Sequence, residues 1–168
     1  MQTLITEAQL RERVRALALD ISRDHPDGVH LVSVLKGAFM FLADLVRAMP
    51  GEVTLDFMAL SSYGNRQTTS GEVRLLKDLD AGLEDRSVVI VEDIVDTGLT
   101  LAYLQEILRA RTPRSLRTAC LLNKPSRRQT SVVVDYVGFT IDDEFVVGYG
   151  LDSRERYRNL PYIAVVNE

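Results

Sequence analysis

The chain has 168 residues, 46% hydrophobic and 26% charged, a balance that suits one globular domain and argues against a disordered chain. Its formal charge of −4 gives no whole-protein reason to expect nucleic-acid binding, although local Arg and Lys clusters can still hold a small anion. Cys120 is the only cysteine, which excludes an intramolecular disulfide and leaves a Cys-rich zinc site unsupported; its apolar run predicts a buried structural thiol.

Thr6-Glu7-Ala8-Gln9 reads as a capping box. Leu10, Val14, Leu17 and Ile21 then recur at helical spacing on one face, and His25-Pro26-Asp27-Gly28 stops the helix. Residues 30–35 read as a strand, and Lys36-Gly37 turns into a helix over about 38–47 that Pro50-Gly51 ends. Residues 53–61 form a second strand candidate, broken by Asp56. Residues 62–71 are polar and aperiodic; such a stretch inside a compact domain is a lid, a binding loop or a disordered segment.

Residues 87–91 form the β-branched run of a buried parallel strand. A turn follows, then a helix over about 100–110 with Leu101, Leu104, Ile107 and Leu108 on its apolar side. Residues 115–122 and 132–139 are further strands, and 145–149 and 162–166 are shorter ones. Strands alternating with helices predict an α/β fold, a mainly parallel twisted sheet flanked by helices. One domain spans 1–168, with a core over about 28–141 and a small hood from about 1–27 and 142–168. The N-terminal stretch lacks the apolar core of a signal peptide, and no apolar run approaches membrane-spanning length. A soluble, cytoplasmic protein without membrane contact is expected.

The segment that carries chemistry is Val88-Val89-Ile90-Val91-Glu92-Asp93-Ile94-Val95-Asp96-Thr97-Gly98-Leu99-Thr100. It delivers two adjacent acids to the carboxyl end of a buried strand, where open α/β sheets place their ligands. Neighbouring strand residues point to opposite faces, so Glu92 and Asp93 serve one ligand only if the chain turns there. Two carboxylates at such a turn suit a vicinal diol, alone or with a hard cation such as Mg²⁺. The stretch from Asp96 to Thr100 opens a helix, with Gly98 allowing an unusual backbone angle, so free amides and the Thr97 and Thr100 hydroxyls converge. That is a phosphate cradle. Acids just before it describe a seat for ribose 5-phosphate. The bland alternative is an acidic surface turn like that of a receiver domain, which the ordered set of acids, Thr-Gly and Thr disfavours. The absence of Gly-x-x-x-x-Gly-Lys-Ser/Thr leaves a P-loop unsupported.

This segment resembles the signature of the type I phosphoribosyltransferases, in the wording of their hypoxanthine (hypoxanthine–guanine) members. Leu35-Lys36-Gly37, Ser61-Ser62-Tyr63-Gly64, Leu121-Leu122-Asn123-Lys124, the run Phe145-Val146-Val147-Gly148-Tyr149-Gly150-Leu151-Asp152 and Arg158 match in the family's order, across nearly the whole chain.

The resemblance implies transfer of ribose 5-phosphate from phosphoribosyl pyrophosphate to hypoxanthine, and to guanine, with Mg²⁺ as cofactor and a homodimer or homotetramer as the assembly. It implies that Glu92, Asp93, Asp96, Thr97, Gly98, Leu99 and Thr100 hold the ribose and its 5′-phosphate, and that Asp96 is the general base. Simple capping of the following helix is the alternative role for Asp96. Ile94, Lys124, Phe145 and Val146 would bind the purine, with Lys124 on its exocyclic oxygen and Phe145 stacked on a face. By sequence alone Lys124 belongs to a solvated basic turn and Phe145 to the core. Lys36, Gly37 and Arg158 would take the pyrophosphate; Glu92, Asp93 and Asp152 the metal; Ser62 and Tyr63 would open a mobile loop. Arg128 is read as structural. Leu99 departs from the family pattern, since some relatives carry Lys there. Two rivals remain: a phosphoribosyltransferase for another base, and a regulatory protein that senses the sugar phosphate and binds nucleic acid. His25 and His30 carry no functional signal.

Overall fold

The computed structural model describes residues 1–62 and 73–167; Tyr63 and the rest of the expected loop lie outside the described residues, as does the side chain of Ser62. A six-stranded sheet forms the centre, built from β2 (Val29–Leu35), β3 (Val53–Ser62), β4 (Val73–Lys77), β5 (Ser87–Val95), β6 (Ser115–Asn123) and β7 (Tyr136–Thr140). The order is β4-β3-β2-β5-β6-β7, with every neighbouring pair parallel except the antiparallel β3–β4 edge. Strand order therefore reverses between β2 and β5, and the crevice at their carboxyl ends is where such sheets bind ligands.

Helices α1 (Glu7–Asp24) and α2 (Phe39–Ala48) cover one face, and α3 (Leu99–Arg109) the other. The expected capping box starts α1: Thr6 N donates to Gln9 Oε1 at 2.8 Å and Gln9 N to Thr6 Oγ1 at 3.2 Å. Its periodic residues Leu10, Val14, Leu17 and Ile21 are all buried against the first core, together with Leu31, Val89, Val91 and Leu121. Val32, Val88, Ile90, Leu104 and Leu108 form the core on the α3 side. Cys120 is buried there, as expected, and burial pushes its thiol up to about 12.

The hood differs from expectation. It is a three-stranded sheet of order β1-β9-β8, made of β1 (Gln2–Ile5), β8 (Val146–Val147) and β9 (Ile163–Val165). Of the N-terminal stretch only β1 joins it, because the apolar face of α1 is wide enough to require burial on the main sheet. Arg13 reinforces that docking by donating to the carbonyls of Val137 and Gly138 at 2.7 and 2.8 Å.

Three strands also depart from their sequence patterns. Strand β3 runs through Asp56 because the buried carboxylate accepts from the amides of Phe57, Asp80 and Ala81 at 2.8, 2.8 and 3.2 Å. Strand β4 has no clean sequence alternation, because Leu75 and Leu76 are adjacent apolar residues although their burial alternates. Of the apolar run at 132–134, Val132 and Val134 pack on the second core ahead of β7 while Val133 is exposed, and none of the three pairs within β7. Elsewhere the observed bounds lie within a few residues of those read from periodicity. Among the described residues, no helix is long and apolar enough to cross a membrane.

Candidate active site

Two loops face each other across the β2–β5 crevice. After β2 comes Lys36-Gly37; after β5 comes the turn from Asp96 to Gly98, which leads into α3. The stretch from Glu92 to Leu101, Leu99 excepted, lines a cavity of about 340 Å³.

Strand β5 does not stop at Val91. It pairs with β6 as far as Val95↔Asn123. The turn expected at the acids appears instead as a reversal of the pleat inside the strand. Val91 and Ile94 pack on the first core while Ile90 and Val95 pack on the second. An even alternation would put residues three or five apart on opposite faces. The Asp93 carboxylate accepts from the Ile94 amide at 2.7 Å, a local bond of the kind that reshapes a strand. Both acids thereby line the same cavity.

Burial sets the electrostatics of both acids. Glu92 is buried, and its Oε1 has no hydrogen-bond partner. Burial, and next the neighbouring Asp93, push Glu92 well above the usual carboxylate range; burial likewise raises Asp93. A buried carboxylate oxygen left without a donor is costly, and a cation or a pair of hydroxyls would relieve it.

At the start of α3, Gly98 has φ +84°, the left-handed region that favours glycine. A side chain there would also meet Arg128 Cδ and Thr130 O at 3.0 Å. The Leu99 amide donates to the Thr97 hydroxyl oxygen at 3.3 Å, and the remaining first-turn amides have no intrahelical acceptor by the geometry of a helix end. This turn is strapped from behind. Gln129 and Thr130 amides donate to the Thr97 carbonyl at 2.9 and 3.3 Å, and Arg128 Nη1 donates to the Val95 and Asp96 carbonyls at 3.1 and 2.7 Å. Arg128 is thus the structural residue it was read to be.

Asp96 does not cap the helix. Gly98 is the N-cap, without a side-chain bond, and Asp96 Oδ1 instead accepts from Arg127 Nε at 3.1 Å. Arg127 also lies 3.6 Å from Asp143, so an acid–base–acid chain borders the cavity. Sequence reasoning passed over Arg127 and Asp143, which have no motif of their own.

Beside it stand the expected purine contacts. Lys124 is buried rather than solvated, its Nζ donating to the Glu144 carbonyl at 2.5 Å. Phe145 is 46% exposed rather than core, while the following Val146 is buried in β8. An apolar ring left open next to a buried lysine can cover a flat heterocycle.

On the other side, the Lys36-Gly37 turn abuts Asp93 closely. A Cβ on Gly37 would fall 1.8 Å from Asp93 Oδ2, and a Cβ on Gly150 2.2 Å from the Gly37 carbonyl. Lys36 and Arg158 meet around Glu155, and Arg158 Nη2 lies 3.3 Å from Asp152. Tyr149 ties this region to α2 through a hydrogen bond to Asp44 at 2.5 Å. Glu155 and Asp44 had no sequence signal of their own. Asp93 feels Arg158 and Asp152, but among the described residues no three carboxylate, histidine or cysteine side chains gather as a ready-made metal cluster. Glu92, Asp93 and Asp152 are therefore neighbours around the crevice rather than a closed cage.

A match to the phosphoribosyl transferase domain family covers residues 3–154. The chain is 47% identical over 166 residues to the hypoxanthine-guanine phosphoribosyltransferase of Bacillus subtilis, covering 98% of this chain and 92% of that protein. It is 46% identical over 169 residues to the hypoxanthine phosphoribosyltransferase of Escherichia coli, covering 99% and 95%. Among solved structures, a hypoxanthine-guanine phosphoribosyltransferase of Bacillus anthracis superposes with a TM-score of 0.95 at 49% identity, covering 99% of each chain.

Proposed function

The chain belongs to the phosphoribosyltransferase family, and on that premise we propose that it joins hypoxanthine, and also guanine, to the ribose 5-phosphate of phosphoribosyl pyrophosphate in purine salvage. The observation that carries this reading is the shared cavity, where diol-suited acids and an amide-lined helix start lie within one stretch of chain. In the reaction, the turn from Asp96 to Thr100 holds the 5′-phosphate through backbone amides and the Thr97 and Thr100 hydroxyls. Glu92 and Asp93 hold the ribose hydroxyls. Asp96 accepts the proton that the purine loses as its ring nitrogen bonds to the sugar. Lys124 donates to the exocyclic oxygen, the Val146 backbone reads the ring edge, and Phe145 and Ile94 enclose the ring. The pyrophosphate leaves toward Lys36, the Gly37 amide and Arg158. Ser62 and Tyr63 open the segment proposed to close over the site.

Mg²⁺ fits the residues present. Mg²⁺ is commonly held by one or two carboxylates with substrate phosphates supplying further ligands, and a buried carboxylate with a free oxygen meets that need. Glu92, Asp93 and Asp152 would hold it; when bound it offsets charge on the departing pyrophosphate. Assay of each base with phosphoribosyl pyrophosphate should show hypoxanthine and guanine consumed, and excess chelator should abolish the turnover. Consumption of uracil or orotate in place of both would move the chain to another branch of the family. The rival reading as a nucleic-acid-binding regulator gains nothing from a net charge of −4.

The same proposal includes a cytoplasmic location and a homodimer or homotetramer. Leu35 and Leu55 are exposed and follow the alternation of Val29, Leu31 and Phe57 on the α2 side of the sheet, and Phe39 is exposed at the start of α2. Exposed apolar residues of this kind suit burial against a second copy. Sedimentation equilibrium should give at least twice the 18.8 kDa of one chain, and a monomer at micromolar concentration would rule this out.

A further inference from the structure

Lys36 and Arg158 come from distant parts of the sequence, yet one carboxylate already bridges them. Glu155 Oε2 lies 3.2 Å from Lys36 Nζ, and Glu155 Oε1 accepts from Arg158 Nη2 at 3.0 Å. The hairpin that presents Glu155 is tightly built. Ser153 and Arg156 exchange backbone hydrogen bonds at 3.1 and 3.0 Å, and the Glu155 amide donates to Asp152 Oδ2 at 2.8 Å. Arg154 and Glu155 at its tip both have left-handed backbones, φ +53° and +62°. Residues other than glycine adopt that region at a cost, and when they do so at a binding site the strain is a pointer to a role.

We propose that Glu155 is a built-in competitor for the pyrophosphate group, its carboxylate holding the two cations that the diphosphate needs and yielding them when it binds. This rests on the reading above that Lys36 and Arg158 receive the pyrophosphate. The two pairs are suited to exchange. Lys36 and Glu155 are 66% and 65% exposed, so their attraction is screened by water and a polyanion can outcompete it. Arg158 is different: it is mostly buried and anchored through Nη1 to the Gly150 carbonyl at 2.8 Å. It stays in place when Glu155 leaves. A carboxylate that returns as pyrophosphate loosens would also speed product release.

The test is calorimetric titration of magnesium pyrophosphate into the native chain and into Glu155→Gln, Glu155→Asn and Lys36→Met. Asparagine tolerates the left-handed backbone, so it keeps the hairpin if glutamine disturbs it. Removing the charge should tighten pyrophosphate binding by about 3- to 10-fold in both Glu155 variants, with the gain shrinking as salt rises. It should also make pyrophosphate a correspondingly stronger product inhibitor. Unchanged or weaker binding in both Glu155 variants, with Lys36→Met weaker than native, overturns the competitor role and leaves the pyrophosphate seat standing. Native-like binding by Lys36→Met overturns the seat, and the competitor with it.

Discussion

Asp96→Asn lowers turnover by roughly 10²- to 10⁴-fold, the range lost with a general base, while binding of phosphoribosyl pyrophosphate stays near native. The substitution keeps the size of the side chain. The amide oxygen can still accept from Arg127 Nε, which now stands 3.1 Å from Asp96 Oδ1, so the local geometry is retained. What is lost is the capacity to take a proton from the purine. The phosphate seat is untouched, because it is made of helix-start amides and threonine hydroxyls and is braced through Thr97 by the amides of Gln129 and Thr130. Single-turnover kinetics beside equilibrium binding of the activated ribose separates the two effects. Turnover at the native level would remove Asp96 from the base role and return it to a charge partner of Arg127.

Gly37→Ala lowers kcat/KM for phosphoribosyl pyrophosphate by about 100-fold, the cost of misplacing reacting groups by about an ångström. A methyl at this position would stand 1.8 Å from Asp93 Oδ2 and 3.0 Å from Asp93 Cγ, so either the carboxylate or the turn must move. The turn has little freedom to retreat, since its own carbonyl backs onto Gly150, where any Cβ would come within 2.2 Å. Displacing Asp93 disturbs the ribose contact, and displacing the turn disturbs the Lys36 side of the pyrophosphate seat. Overpacking should also cost about 1–3 kcal/mol of stability. Gly82→Ala, which meets nothing within 4 Å, is the control and should shift stability by no more than about 0.5 kcal/mol. Steady-state kinetics with each substrate varied in turn reads the result. A native kcat/KM for the activated ribose would show that the contact between Asp93 and the Gly37 turn is not part of the seat.

The acidic strand end and the Thr-Gly turn were legible because their chemistry is contiguous. One buried strand followed at once by one helix must place its acids and its helix-start amides close together, whatever the rest of the chain does. The same holds for α1, whose capping box and apolar spacing were satisfied bond for bond. Lys124 and Phe145 were less legible. A basic turn and an apolar residue before a short strand each have ordinary explanations, and only burial of the one and exposure of the other distinguish them.

The partners of the charged groups were not legible at all. Arg127 finds Asp96 across 31 positions, Lys36 finds Glu155 across 119, and Tyr149 finds Asp44 across 105. Nothing in local spacing encodes such meetings. By itself the sequence determined most of the elements, the mainly parallel layout and the Thr-Gly turn that opens α3, because hydrophobic period, caps and turn residues act over a few neighbours. The tertiary structure decided that the pleat of β5 reverses so that both acids line one cavity, that β1 rather than α1 forms the N-terminal part of the hood, and that each cation at the site already has an acceptor. Those outcomes depend on packing between segments far apart in the chain, where burial and distance, not residue type, set the energy.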